Sequence, residues 1–333
     1  MPKPSLYITR RIFPEAIALL QSAADVRQWD SDLPPPYERL LAEAKQSDAL
    51  FTLLTDRIDA ALLSESPRLR VVSNMAVGYN NIDMAAATAK GVYIGNTPGV
   101  LTETTAEFAF ALLLAWARRI PEARQFARDG KWKTWEPMGL LGVDLHGAAL
   151  GLIGMGRIGE AMARRARAFE MRLLYHSRSR KPALERELGM AYVDLDTLLK
   201  ESDFVSLHVP MNAETRGMIG ERQLAKMKPS AGLINTSRGE VVDQSALIRA
   251  LQAKSIAGAA LDVTDPEPLP ANNPLCQMEN VLLTPHIASA SRATRLKMAM
   301  MAAQNIVDVL QGRAPTHCVN PQAKNNRSTH APA

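Results

Sequence analysis

Residues 148–169 read AALGLIGMGRIGEAMARRARAF. An apolar run ends at Ile153; Gly154-Met155-Gly156-Arg157-Ile158-Gly159 follows, and then a stretch with helical periodicity. A second apolar run, MRLLYHS from Met171, comes at the distance of a strand–helix–strand unit. In that setting the three glycines serve the tight turn, the close approach of a pyrophosphate, and the close packing of helix on strand. The helix N-terminus adds free N–H groups and a partial positive charge for phosphates. Without the flanking strands the same glycines would read as a plain turn. With them they point to a dinucleotide.

Toward the C-terminus the pattern repeats. FVSLHVP, AGLINTS, GAALDV and VLLTPHI, the last ending at Ile287, are short apolar runs closed by polar or Gly residues. That is how buried parallel strands read. Toward the N-terminus, SLYITR, ALFTLL, LRVVSNM and VYIGNT alternate with helical segments such as Pro14 to Ala23 and Ile82 to Lys90. Strand alternating with helix argues for parallel sheets covered by helices. A helix is expected from about Thr104 to Asp129, kinked at Pro121, and another from about Ala293 to Leu310, apolar on nearly all faces and therefore buried. The final QAKNNRSTHAPA is polar and expected to fray. With 333 residues, two domains are expected at about 150 residues each.

Bulk composition narrows the function classes. Thirty-nine basic against 34 acidic residues give a net charge of +5, and aromatics are 5%. The basic residues are dispersed, which argues against nucleic acid and leaves small anions open. Cys276 and Cys318 match no disulfide framework or metal-ligand spacing, so no metal is expected. The N-terminal MPKPSLYITRR lacks a signal-type apolar run, and Phe108 to Ala117 is too short to cross a bilayer. A cytoplasmic protein without a membrane role is the expectation.

Polar residues at the strand ends carry the chemistry. After MRLLYHS comes Ser177-Arg178-Ser179-Arg180-Lys181. An acid near Ser177 would serve the ribose 2′-hydroxyl of NAD, and none is there. Small Ser177 leaves room for a 2′-phosphate, and Arg178, Arg180 and Lys181 supply charge for it, so NADPH is preferred with NADH possible. Arg238 follows the LINTS strand, and its guanidinium can hold a carboxylate in a fork. Glu267, between Pro266 and Pro268, is a loop acid with Asp265 as its rival. His286 ends the last run; a histidine is the natural proton donor when hydride arrives at a carbonyl carbon. A carboxylate bonded to its ring favours the imidazolium. In the first half, the N–H groups of Val77 and Gly78, in AVGYNNID, can bind a substrate carboxylate, or the segment is a plain turn capped by Asn81 or Asp83.

The pieces AVGYNNID, NTPGVLTETTAEFAFALLLA, LGLIGMGRIGEAMARRA, SDFVSLHVPMNAETRGMI, INTSRGEVVDQSAL, AALDVTDPEPLP and VLLTPHIASAS, in this order, resemble the D-isomer-specific 2-hydroxyacid dehydrogenase family. The resemblance implies two parallel-sheet α/β domains with a cleft between them. Residues 1–100 and 290–320 would form a flavodoxin-like substrate-binding domain, 101–289 a Rossmann-type cofactor domain, and 321–333 a flexible tail. It implies Arg238, Glu267 and His286 as the catalytic set, choosing Glu267 over Asp265. It places Asp262 on the nicotinamide amide, and Thr105, Val209, Pro210, Thr215, Thr236, Ser237 and Ser289 around the cofactor. WKTWEPMGLLGVDLHG and the SRSRK loop are most similar to glyoxylate/hydroxypyruvate reductases, in which Leu54 and Thr55 would line the substrate pocket. Trp135 matches a position that reaches the partner's site, which implies a homodimer. Thr264 stands where an aromatic is common. No regulatory domain follows, and Glu rather than Gln accompanies the His, which argues against phosphoglycerate and formate dehydrogenases. The expected reaction is reduction of a small 2-oxo acid to its 2-hydroxy acid. The alternatives are a phenylpyruvate-type or sugar-acid reductase, a phosphite oxidiser, and a cofactor-sensing corepressor-like protein.

Overall fold

The central strands in the computed structural model alternate their side chains between two covered faces, which explains why their sequence runs are apolar throughout. The structure describes residues 3–329. They divide into two compact units: one runs to Leu101 and resumes at Ser291, and the other is Thr102–Ala290.

The first unit has five strands: β1 (Ser5–Ile8), β2 (Asp25–Gln28), β3 (Ala49–Thr52), β4 (Val71–Asn74) and β5 (Tyr93–Gly95). All pairs are parallel, in the order β2-β1-β3-β4-β5, the flavodoxin-like order. Leu6, Ile8, Phe51, Val71 and Tyr93 pack on one face with Met298, Ala299, Ala302, Ala303 and Ile306 of the helix Arg292–Leu310. Tyr7, Leu50, Val72 and Ile94 pack on the other with Leu40, Leu62 and Leu63.

The second unit has seven strands: β6 (Ala149–Ile153), β7 (Arg172–His176), β8 (Ala191–Tyr192), β9 (Phe204–Leu207), β10 (Gly232–Asn235), β11 (Gly258–Leu261) and β12 (Val281–Leu283). Their order is β12-β11-β10-β9-β6-β7-β8, and all pairs are parallel. The order reverses between β6 and β9, the switch point where doubly wound sheets take dinucleotides.

Three features differ from expectation. β2 and β8 are not apolar runs: DVRQ is largely exposed and β8 has two exposed residues. Both are edge strands with solvent on one side, so no apolar signal marks them. The helix expected to kink at Pro121 is instead two helices, Thr102–Ala117 and Ile120–Arg128. Pro121 has no N–H to give the Ala117 carbonyl. Val143 N donates to that carbonyl at 2.8 Å, and Arg119 turns the chain with φ 52°. The stretch from 321 expected to fray is a 3-10 helix over Pro321–Thr329, with Ala323 buried and Asn326 Nδ2 donating to Thr88 O at 2.9 Å; residues 330–333 lie outside the described residues. Among the described residues no helix is long and apolar enough to cross a membrane.

Candidate active site

Parallel strands put all their carboxyl ends on one edge, so residues far apart in sequence meet there. In the second unit that edge begins with the glycine turn after β6. Gly154 has φ 97°, and a Cβ on it would lie 2.6 Å from the His208 carbonyl oxygen. A Cβ on Gly159 would lie 2.2 Å from the Gly154 carbonyl oxygen, so helix Arg157–Ala168 starts against the turn itself. Gly156 differs: a Cβ there would meet nothing within 4 Å. No protein atom explains its missing side chain, whereas an anion lying on the helix N-terminus would. Thr236, at the end of β10, is 8% exposed, and its Oγ1 is buried without a hydrogen-bond partner. Such orphans are rare in proteins and point to a missing ligand. Open backbone at Gly156 and the unpartnered hydroxyl of Thr236 fit a dinucleotide.

Beyond β7, the basic loop is not uniform. Arg180 gives its guanidinium to Glu185, with Nε and Nη2 within 2.8–3.1 Å of the carboxylate. This narrows the expected phosphate-binding set, because Arg180 is already committed. Arg178 is exposed and has no ion pair or hydrogen bond among the described residues. Ser177 Oγ donates to Ser179 O at 2.6 Å. Val209 and Pro210 follow β9, and Thr215 Oγ1 donates back to Pro210 O at 2.6 Å. Thr105 is buried in the helix Thr102–Ala117, and Ser289 precedes the last helix.

The next three strand ends carry Arg238, Glu267 and His286. Asn235, buried at the end of β10, accepts from Ser237 N at 3.0 Å and donates to Arg238 O at 2.9 Å. A Cβ on Gly239 would lie 1.9 Å from the Thr264 carbonyl oxygen, so only glycine lets the Arg238 loop pass against the loop bearing Glu267. Neither Asn235 nor Gly239 stands out in the sequence, although a polar residue closing a buried strand is a usable signal. Burial pulls the Arg238 guanidinium down against the opposing charges of Glu267 and Glu240.

His286 Nδ1 lies 2.8 Å from Glu267 Oε2, and both side chains are partly buried. Glu267 Oε1 accepts from Thr264 N at 3.1 Å. Burial pushes the Glu267 carboxyl up, but the bond and charge of His286, the Thr264 N–H and Arg238 outweigh it and hold the group below the usual carboxylate range. Asp265 is exposed and its N–H goes to Gln244. Of the two candidate acids, Glu267 meets the histidine.

Asp262 is 1% exposed. Its carboxylate accepts from Thr284 Oγ1 at 2.6 Å and from the N–H groups of Ile287 and Ala288 at 2.8 Å. Its carbonyl accepts from His286 N at 2.9 Å. It therefore holds the histidine loop; burial pushes its carboxyl up against the pull of these donors.

The first unit has its own carboxyl edge. Leu54 and Thr55 follow β3; Val77 and Gly78 follow β4. The carbonyls of Val77 and Gly78 accept from Asn96 and Asn74 side chains at 2.9 and 3.0 Å. Their N–H groups donate to nothing among the described residues. Asp83, not Asn81, caps the following helix, accepting from Ala86 N at 2.9 Å. Asn81 is turned toward the Leu53 and Asp56 carbonyls. Neither Cys276 nor Cys318 is in a disulfide among the described residues. Among the described residues no His, Cys, Asp and Glu group is arranged to hold a metal.

A doubly wound sheet with this turn and an arginine, a glutamate-bound histidine and a buried aspartate on neighbouring strand ends defines a nicotinamide-dependent oxidoreductase. Residues 110–288 match the family model described as D-isomer specific 2-hydroxyacid dehydrogenase, NAD binding domain. A glyoxylate reductase of Aeropyrum pernix is 55% identical over 324 residues, covering 96% of this chain and 97% of that protein. A solved structure from Thermus thermophilus superposes with TM-score 0.90 at 44% identity, covering 95% of this chain and 99% of the other. An NADPH-dependent glyoxylate/hydroxypyruvate reductase of Sinorhizobium meliloti, solved with NADP and malonate, gives TM-score 0.84 at 31% identity, covering 97% and 98%. The chain belongs to the D-isomer-specific 2-hydroxyacid dehydrogenase family and is an NAD(P)-dependent enzyme of that class.

Proposed function

We propose that the protein reduces glyoxylate and hydroxypyruvate to their 2-hydroxy acids, with NADPH as the favoured reductant, as a homodimer in the cytoplasm. The carrying observation is the 2.8 Å bond between His286 Nδ1 and Glu267, one strand end from Arg238. With Nδ1 committed to the carboxylate, Nε2 is the nitrogen that holds and delivers a proton. Arg238 takes the substrate carboxylate in its fork and orients the carbonyl. The Val77 and Gly78 N–H groups, with Leu54 and Thr55, are the substrate-binding candidates of the first unit. A reduced nicotinamide, when bound, supplies the hydride for the carbonyl carbon. His286 Nε2 then protonates the oxygen, and Glu267 stabilises the charged ring before that transfer.

Gly154, Gly156, Arg157, Ile158 and Gly159 would hold the pyrophosphate, while Thr105, Val209, Pro210, Thr215, Thr236, Ser237, Asp262 and Ser289 would border the rest of the cofactor. The partners already held by Asp262 leave one of about four carboxylate acceptor positions for a nicotinamide amide. The missing acid near Ser177 and the guanidinium of Arg178, unpaired among the described residues, support the NADPH preference. The names of the Aeropyrum and Sinorhizobium relatives support glyoxylate as substrate. Exposed Trp132, Trp135, Met138 and Leu141 support the dimer, because apolar side chains clustered on one exposed loop favour a partner surface. Two cysteines without a disulfide among the described residues suit a reducing compartment.

Initial rates with glyoxylate, hydroxypyruvate and phenylpyruvate, each with NADPH and NADH, test the reading. We expect turnover of the two small acids and a higher kcat/KM with NADPH. Arg178→Ala should lower kcat/KM for NADPH by about tenfold or more, the scale of a charge-assisted bond, with little change for NADH. Equal or better use of NADH by the wild type would refute the cofactor preference.

A further inference from the structure

Beneath the Leu54–Thr55 turn lies a buried charged cluster that the reaction described above does not use. Arg10 follows β1 and is 7% exposed; Asp56 follows β3 and is 2% exposed. β1 and β3 flank the point where the strand order of this sheet reverses, the place where open parallel sheets take ligands. Taking charges out of water is costly, so each of these groups needs partners. Asp56 Oδ2 accepts from Thr9 Oγ1 at 2.5 Å and from Leu53 N at 2.7 Å, while Oδ1 stands 3.6 Å from Arg10 Nη2. That same Nη2 donates to Thr55 Oγ1 at 2.5 Å. Thr55 itself is exposed.

The direction of that last bond decides the chemistry. A guanidinium only donates. Thr55 Oγ1 is therefore the acceptor, and its own proton must point elsewhere. A hydroxyl that accepts from a cation is polarised and becomes a better donor. The neighbouring loop is braced on the same network. Asn81 Nδ2 donates to the Asp56 and Leu53 carbonyls at 2.9 and 3.2 Å, and Asn74 Nδ2 donates to Asn81 Oδ1 at 3.3 Å and to Gly78 O at 3.0 Å. The turn carrying Thr55 and the loop carrying Gly78 are thus fixed to one another through the buried amide of Asn74 and the half-buried amide of Asn81.

We propose that Arg10 is a positioning residue for substrate binding: it holds Thr55 so that the threonine hydroxyl donates to an oxygen of the bound 2-oxo acid. This rests on the 2-oxo acid reductase reading above. The acceptor is an oxygen common to all such substrates (carboxylate or 2-oxo), or the C3 hydroxyl that hydroxypyruvate has and glyoxylate lacks.

The test is steady-state kinetics of Thr55→Val, Thr55→Ser, Arg10→Met and the Arg10→Met/Thr55→Val double variant with both acids. Thr55→Val and Arg10→Met should raise KM for the 2-oxo acid about 3–10-fold, the scale of one net hydrogen bond. Thr55→Ser should stay near wild type, and kcat and the KM for NADPH should hold in every variant. Because Arg10 acts through Thr55, the double variant should be no worse than Arg10→Met alone. A rise with both acids assigns the bond to the shared oxygens; a rise with hydroxypyruvate alone assigns it to C3, and either supports the proposal. An unchanged KM in Thr55→Val, or additive losses in the double variant, overturns it. Should Arg10→Met fail to fold, the contrast between Thr55→Val and Thr55→Ser decides by itself. A wild type that turns over no 2-oxo acid removes the reductase reading and this inference with it, whereas an active wild type with an indifferent Thr55→Val removes this inference only.

Discussion

His286 has φ 54°, a left-handed backbone uncommon for residues other than Gly, although Asn, Asp and His enter it more readily than most. Asp262 offsets the cost by gripping the residues on both sides of it, through one carbonyl and two carboxylate oxygens. The strain and its support suggest how to remove the chemistry without disturbing the loop. Asn tolerates this backbone, so His286→Asn should lower kcat by about 10²–10⁴ while thermal stability stays near wild type. Turnover close to wild type would end the proton-donor assignment. Glu267 gives a pH signature. Its depressed pKa means that its contribution is present above the ordinary carboxylate range and lost as pH falls through the depressed value. The Tm gap between wild type and Glu267→Gln should therefore be widest near neutral pH and close on acidification. A gap independent of pH, followed by thermal melts, would mean that the ionised carboxylate adds nothing. Residue types at strand ends are readable in the sequence because each follows an apolar run. Arg10 is not: ITRR looks like an exposed basic pair until Asp56 and Thr55, more than forty residues away, are seen beside it.

At the level of elements, one side chain fastens helix Thr102–Ala117 to the large sheet. Trp116 lies over Gly232 and Gly258, where a Cβ would come within 2.5 and 2.6 Å of its indole ring, and its Nε1 donates to Asn280 O at 3.1 Å. A Cβ on Gly258 would also come within 2.2 Å of the Asn280 carbonyl oxygen, which is backbone and cannot swing away. Gly258→Ala should cost about 1–3 kcal/mol by overpacking, or roughly 3–10 °C in Tm for a unit of this size. An unchanged melt would show that β11 and β12 can part without penalty. The buried strands are legible because both their faces are apolar. β2 and β8 are not, since an edge strand needs only backbone partners on one side. The break at Arg118–Arg119 reads as a kink in the sequence because the competing donor, Val143 N, comes from a distant loop.

On the scale of the molecule, the loop of residues 131–143 presents Trp132 at 71% and Trp135 at 81% exposure, an unusual display for indoles left in water. Sedimentation velocity should give twice the chain mass for the wild type and the chain mass for the Trp132→Ser/Trp135→Ser variant. A wild type that sediments as a single chain contradicts the dimer.

The first unit is also discontinuous: about 190 residues separate its two segments. Its core needs Met298, Ala302 and Ile306 from the last long helix before Leu6, Phe51 and Val71 are covered. During synthesis at roughly 5–20 residues per second, the ribosome spends about 10–40 s on the inserted unit before that helix exists. Throughout that time the five-stranded sheet has emerged with one face only partly covered, by Ala16 and Leu20 of the helix Pro14–Gln21, while the later-made unit already has all the chain it needs. The order of translation is thus the reverse of the order of completion: the segment made first is the last to have its core closed.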